Sequence, residues 1–360
     1  MQEIGLTRRH FMGITAGGVL GGMFNTSFSH AAVPGKEIPM RIGIIGCGHQ
    51  GLRHLKQLHQ HLPKHNIEYE ISMCDSDAYH LANASNRYQG STFSNWEQLL
   101  DTTAPHGVII ATPDSLHAPI AIAALNQGTA VFCEPPLAMT LPEAREVYDL
   151  AQQYGRPLYM AIDQAWSDEI NLARQEVSNG KLGRLRWIQG ASGASLRGYS
   201  HADNTQAIPW WHSPEHSLGS AARAHFEGLY PLIVATDLGM PLRASTAADC
   251  FITGNPDLPD TLLTTLDYPN GVTLVMTSSP GNVDRRAPVL RGDHGDLEIL
   301  PATNNTTGSA LSQWIHAIQI GADTKHDTSR WAFETQVALN LALASAKSGN
   351  TVTLESILNS

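Results

Sequence analysis

Short apolar runs alternate with helical spacings along the first part of the chain. Ile42 to Ile45 is followed, after the turn Gly46-Cys47-Gly48-His49-Gln50-Gly51, by Leu52, Leu55 and Leu58 at helical intervals. That pattern predicts strand, tight turn and helix. Glu70 to Cys74 reads as a second strand ending at Asp75, and Gly107 to Ala111 as a buried strand running into Thr112-Pro113-Asp114-Ser115-Leu116-His117. A helix ending near Gly128 leads to the strand Ala130 to Cys133, which stops at Glu134. From about Gly155 the pattern changes. Pro157 to Ala161 predicts a strand and Asp168 to Asn179 a helix closed by Gly180, and Leu182 to Gln189 begins a sheet of longer strands. Thr261 to Asp267, the turn Asn270-Gly271 and Val272 to Ser278 continue it; Arg291 to Leu297 reads as a hairpin. A closing helix, Trp331 to Lys347, precedes Gly349 to Leu354. The boundaries expected from these shifts are a first domain over 38–156 and a second over 157–360.

Ahead of both, residues 1–31 carry Arg8-Arg9, a weakly apolar, glycine-rich run from Gly13 to Phe24, and small residues at Ser29 and Ala31. This predicts a twin-arginine export signal cleaved after Ala31, and hence a periplasmic or otherwise exported protein that engages the twin-arginine machinery. The run is too short and glycine-rich to span a bilayer of about 30 Å, and no other run is apolar enough to span one. Without residues 1–31 the chain keeps 21 basic and 32 acidic residues, a net charge of −11. That balance disfavours nucleic acid and anionic membrane surfaces as partners. Cys47, Cys74, Cys133 and Cys250 form no metal spacing and are expected to be free, buried thiols.

The turn after the first strand is the Gly-x-Gly-x-x-Gly of a dinucleotide-binding Rossmann unit. Gly46 permits the turn, Gly48 lets backbone approach a pyrophosphate, and Gly51 allows close helix packing, with His49 and Gln50 of the same turn as further cofactor-binding candidates. Asp75, ending the second strand 24 residues after Gly51, can accept hydrogen bonds from ribose hydroxyls and repel a 2′-phosphate. NAD is favoured over NADP. With Thr112-Pro113, His117 and the run Phe132-Cys133-Glu134-Pro135-Pro136, these motifs resemble the glucose-fructose oxidoreductase, inositol dehydrogenase and rhizopine-catabolism family, Gfo/Idh/MocA. The resemblance covers nearly the whole chain after the signal. It implies a Rossmann domain followed by an α/β domain with a large, open, mostly antiparallel sheet, a homo-oligomer built on that sheet, and Thr112, Pro113, His117 and Glu134 at the nicotinamide end of the cofactor.

The family's hydride-transferring members have Glu-Lys-Pro where this chain has Glu134-Pro135-Pro136, and an aspartate and histidine four residues apart on a helix of the second domain. On an ungapped register those two fall at His225 and Leu229, and a usual arginine falls at Ala165. Candidate catalytic replacements are His225, Glu227 and Asp163, with Tyr230, His212, His216 and the sugar-stacking pair Trp210-Trp211 nearby. His225 has the residue type for a base near neutral pH, or packs on a helix face against the sheet. The spacings of His201, His212, His216 and His225 are too irregular for a metal site, and none is expected. The resemblance implies an exported NAD-dependent oxidoreductase of a sugar or polyol. The alternatives are an NAD-dependent, redox-neutral glycosidase or lyase, and a nucleotide-binding scaffold that has lost catalysis.

Overall fold

A computed structural model describes residues 39–193, 210–251, 255, 257–279, 287–300, 309–321 and 327–358, which belong to one compact unit. The expected export signal and His201 lie outside the described residues. The first sheet takes β1 (Met40–Ile45), β2 (Tyr69–Cys74), β3 (Ser91–Phe93), β4 (Gly107–Ile110), β5 (Ala130–Cys133) and β6 (Leu158–Met160). Their order is β3-β2-β1-β4-β5-β6, all parallel. β4 and β5 are buried at every residue, because helices cover both faces. The helices of this half are α1 (His49–Lys64), α2 (Ala78–Ser85), α3 (Trp96–Thr103), α4 (His117–Asn126) and α5 (Leu141–Tyr154). The strand order reverses at β1, so a crevice opens outside the carboxyl ends of β1 and β4, where such sheets bind ligands.

One expectation is corrected. β6 is the sixth strand of the first sheet, with Val131 opposite Leu158 and Cys133 opposite Met160, and does not belong to the second domain. A three-residue buried strand carries no mark of which sheet it joins. The first sheet therefore runs to residue 160, beyond the expected boundary at 156.

The second sheet contains β7 (Leu185–Ser192), β8 (Arg243–Asp249), β9 (Thr261–Asp267), β10 (Thr273–Ser278), β11 (Val289–Gly292), β12 (Gly295–Glu298) and β13 (Val352–Thr353), in the order β12-β11-β7-β10-β9-β8-β13. Only β7 and β10 pair in parallel; the other pairings are antiparallel, which makes the sheet mixed and mostly antiparallel. Along β9, buried Leu262, Thr264 and Leu266 alternate with more exposed residues, the signature of a sheet covered on one face. The second half also contributes α6 (Asp168–Ser178), α7 (Ser220–Thr236), α8 (Ala310–Ile320), α9 (Thr328–Ser348) and α10 (Leu354–Leu358). α7 and α9 pack on the covered face, and α9 also touches β6 and α5 of the first half. α8 inserts Trp314 against Phe132, with ring centroids 5.5 Å apart. Gly107 leaves the room: a Cβ there would sit 2.5 Å from the Trp314 ring. All four cysteines are free; Cys47, Cys74 and Cys133 are buried, whereas Cys250 is only half-buried. Among the described residues no helix is long and apolar enough to cross a membrane.

Candidate functional site

The glycine turn has the form a pyrophosphate cradle needs. Gly46 has φ +91°, and a side chain there would collide with the carbonyl of Ala111. Gly51 faces the Gly46 carbonyl and could carry no Cβ without displacing it. Around Gly48, by contrast, nothing lies within 4 Å of where a Cβ would stand. Gly48 is also the N-cap of α1 and offers no side-chain cap, so the first amides of the helix stay available to an anion. Asp75 sits at the end of β2 and accepts the Cys47 N–H at 2.7 Å and the Asp77 N–H at 2.8 Å. The carboxylate thus braces the turn while staying at the ribose end, a contact that spacing alone does not disclose. His49 is exposed and Gln50 half-buried at the start of α1. These residues fit a dinucleotide: Gly46 to Gly51 would hold the pyrophosphate and Asp75 the adenosine ribose. A groove of about 860 Å³ opens at the amino-terminal ends of β1, β2 and β3, beside Arg41, Tyr69 and Ser91, and shares no residue with this turn.

At the other end of the crevice, two expected cofactor contacts become supports. His117 is fully buried, with Nδ1 2.7 Å from the Pro136 carbonyl and Nε2 3.0 Å from the Thr112 carbonyl. Both ring nitrogens lie against backbone carbonyls, so His117 is lodged between the Thr112-Pro113 turn and the Pro135-Pro136 turn. Glu134 is 2% exposed and sits in a cage of charge. Oε1 meets His54 Nε2 at 2.6 Å and Arg53 Nη2 at 3.2 Å, and Oε2 accepts from Arg223 Nη2 at 2.5 Å. Burial opposes its charge, but Arg223, the His54 hydrogen bond and Arg53 overcome that and hold the carboxyl well below the usual range. The peptide bond between Pro135 and Pro136 is cis, and the next two amides, Leu137 and Ala138, donate to Gln336 Oε1 of α9 at 3.0 and 3.3 Å.

α7 buries the first of the expected catalytic residues. His225 is fully buried against the sheet, its Nδ1 2.9 Å from Ser278 Oγ of β10, and burial lowers its pKa to about 3. Burial makes it a neutral imidazole packed against β10. Gly228 abuts Met276 and Ser192 on the same side, and Leu232 abuts Gly190. At 3.6 residues per turn, Arg223, Glu227 and Tyr230 lie about half a turn away from that side. Arg223 bridges Glu134 and Glu227, donating from Nε to Glu227 Oε1 at 3.0 Å. Glu227 keeps 33% of its side chain exposed. Asp163 is spent elsewhere, accepting the Ala310 N–H at the start of α8 at 3.0 Å. Trp210 and Trp211 stand edge to face at 5.7 Å, half-buried, on a short turn leading to residues 213–218. That segment is fastened to the Thr112-Pro113 turn: Asp114 accepts the Ser217 hydroxyl at 2.8 Å and the Leu218 N–H at 3.1 Å. Sequence reasoning missed Arg53, His54, Arg223 and Gln336. Only the i,i+4 spacing of Arg223 and Glu227 was a visible signal.

A model described as an oxidoreductase family with an NAD-binding Rossmann fold matches residues 40–162. An inositol 2-dehydrogenase of Leifsonia xyli subsp. xyli is 28% identical over 152 residues, 42% of this chain and 44% of that protein. A glycosyl hydrolase family 109 protein of Stenotrophomonas maltophilia is 30% identical over 171 residues, 44% of this chain and 37% of that protein. The chain thus spans less than half the length of these curated relatives. The WlbA dehydrogenase of Bordetella pertussis, solved with NADH and UDP-GlcNAcA, shares the fold with a TM-score of 0.72 at 16% identity, over 89% of this chain and 99% of that one.

Proposed function

We propose, from the premise that this chain belongs to the Gfo/Idh/MocA oxidoreductase family, that it is an NAD-dependent oxidoreductase of a sugar or polyol. The observation that carries the reading is the open turn at Gly48, with the uncapped start of α1 behind it and Asp75 beside it. Bound there, NAD would supply the hydride acceptor. The chain's own part is to anchor the pyrophosphate on the turn, read the ribose with Asp75 and hold the Thr112 and Pro135 turns in place through His117 and Gln336. The name of the inositol dehydrogenase relative and the sugar nucleotide held by WlbA support the substrate class.

A second reading, a redox-neutral glycosidase, draws on the family 109 relative and on Pro135, which removes the lysine of conventional members. Purified protein incubated with NAD, myo-inositol, free pyranoses and p-nitrophenyl glycosides separates the two. Net NADH formation supports the first reading. Release of p-nitrophenol at constant NAD replaces it with the second, and tight NAD binding with neither reaction leaves the scaffold. Export completes the proposal: Arg8-Arg9 before the glycine-rich run supports passage by the twin-arginine route. An Arg8→Lys, Arg9→Lys double variant should remain in the cytoplasm on cell fractionation, and undiminished export would contradict that route.

A further inference from the structure

We infer that Glu227 is the proton acceptor of this site and that Arg223, anchored on Glu134, is the cation that positions it. The inference rests on the oxidoreductase reading and deepens it. The removal of hydride from a carbinol carbon needs a partner for the hydroxyl proton. Pro135 supplies none, and three of the acid and base groups around it are committed elsewhere. Glu134 is enclosed, with both oxygens engaged by His54, Arg53 and Arg223. His225 faces the sheet, and Asp163 caps α8. Among the described residues of α7, Glu227 combines a titratable side chain, the side turned away from the sheet, and exposure, whereas Tyr230 on that side is buried.

Arg223 explains how that carboxylate is held. Its guanidinium is a rigid fork with one prong, Nη2, on Glu134 Oε2 at 2.5 Å, and Nε on Glu227 Oε1 at 3.0 Å. The side chain is 10% exposed, so the fork is fixed by packing and by two carboxylates together. Glu134 is the residue immediately after β5, and Arg53 and His54 belong to α1, the helix that begins at the glycine turn. The chain Glu134–Arg223–Glu227 therefore runs from the carboxyl edge of the first sheet to a carboxylate that is open to solvent. Glu227 Oε2 makes no hydrogen bond or ion pair among the described residues, which leaves it for a substrate hydroxyl. With NAD⁺ bound, a secondary alcohol would become a carbonyl: its carbon would give a hydride to NAD⁺ and its oxygen a proton to Glu227, leaving NADH and the carboxylic acid. Solvent takes that proton afterwards. Among the described residues, the charged groups facing Glu227 through this network are Arg223 directly and Glu134, Arg53 and His54 behind it.

The test compares wild type with Glu227→Gln, Arg223→Lys and Arg223→Ala, using NADH fluorescence for affinity and NADH formation from myo-inositol and methyl glucosides for turnover. Glu227→Gln keeps the size of the side chain and an oxygen for Arg223. It should lower kcat by about 10²–10⁴-fold, as loss of a general base does, leave NADH affinity within about threefold, and abolish the acidic limb of the kcat–pH profile. As a positioning residue, Arg223 should show partial rescue: Arg223→Lys retains more kcat than Arg223→Ala, and both keep the acidic limb. Wild-type turnover in Glu227→Gln, or an unchanged acidic limb, would overturn the assignment. A wild type that binds NADH but oxidises none of these probes would also overturn it while leaving nucleotide binding intact. A wild type that binds no NADH would instead remove the oxidoreductase reading beneath it.

Discussion

Gly46 and Asp75 set the terms on which a dinucleotide can enter. Gly46→Ala would place a methyl group against the Ala111 carbonyl at φ +91°, and should cost about 1–3 kcal/mol in denaturant unfolding together with most NADH affinity. Stability and affinity both unchanged would contradict the turn described above. Asp75→Ala removes the carboxylate at the ribose end and the partner of the Cys47 amide. It should weaken NADH binding by about tenfold, the scale of one charged hydrogen bond, and shrink the preference over NADPH; titration of both nucleotides reads the ratio. The glycines and Asp75 were legible because local backbone geometry dictates them. His225, His117 and Glu134 were not, since their roles depend on which way a side chain points. α7 is buried along nearly its whole length, so it lacks the one-sided apolar stripe that would have fixed its phase from sequence. An imidazole on its sheet side and a carboxylate on the opposite side then look equally eligible.

At the scale of elements, α9 holds the loop after β5 through Gln336, whose Oε1 accepts the Leu137 and Ala138 amides in a buried setting. Gln336→Leu leaves both amides without that acceptor, and each buried orphan costs about 1–3 kcal/mol. A loss of at least about 2 kcal/mol in chemical denaturation is expected; a change under about 0.5 kcal/mol would mean that the loop finds other partners. The strands that sequence located well, β1, β5, β9 and β10, are those with unbroken apolar runs or strict alternation. β3, with only Ser91 to Phe93 at a sheet edge, and β8, with Ala and Ser along most of its length, lack a run of bulky apolar residues. Pairing supplies what their composition does not: β8 is fixed by seven paired residues of β9. The sheet to which β6 belongs was equally hidden, because its partner β5 lies more than twenty residues upstream.

Over the whole molecule, the two halves meet in charge as well as in apolar packing. Glu134 joins α1, β5 and α7, and Glu134→Ala would remove the buried partner of Arg223 while leaving Glu227, so its cost should lie below the ~3–5 kcal/mol of a buried pair broken outright. Acid should work in the same direction. Arg223 and its neighbours hold the Glu134 pKa below the unfolded value, so its stabilisation is present above about pH 4.5 and is lost as pH falls further. For His225 the folded pKa of about 3 lies below the unfolded 6.5, so folding excludes a proton between them and stability falls as pH drops from about 6.5 to about 3. Glu334 has the opposite slope. Burial outweighs Arg330 and raises its pKa from 4.5 to about 7, so that stability falls as pH rises through this interval. The His225 contribution is therefore read as a difference. Between pH 6 and pH 5, wild type should lose up to about 1.4 kcal/mol relative to His225→Gln, the limit for one proton, while turnover at pH 7 stays close to wild type. Equal pH slopes in the two proteins would contradict a buried neutral imidazole. A dinucleotide site at the Gly46 turn that selects NAD can be read by mass spectrometry of nucleotide released on denaturing the purified protein, followed by titration of the emptied protein with NADH and NADPH. NAD or NADH is expected in the released fraction, or tight NADH binding with NADPH far weaker. No released nucleotide together with no binding of either would contradict it.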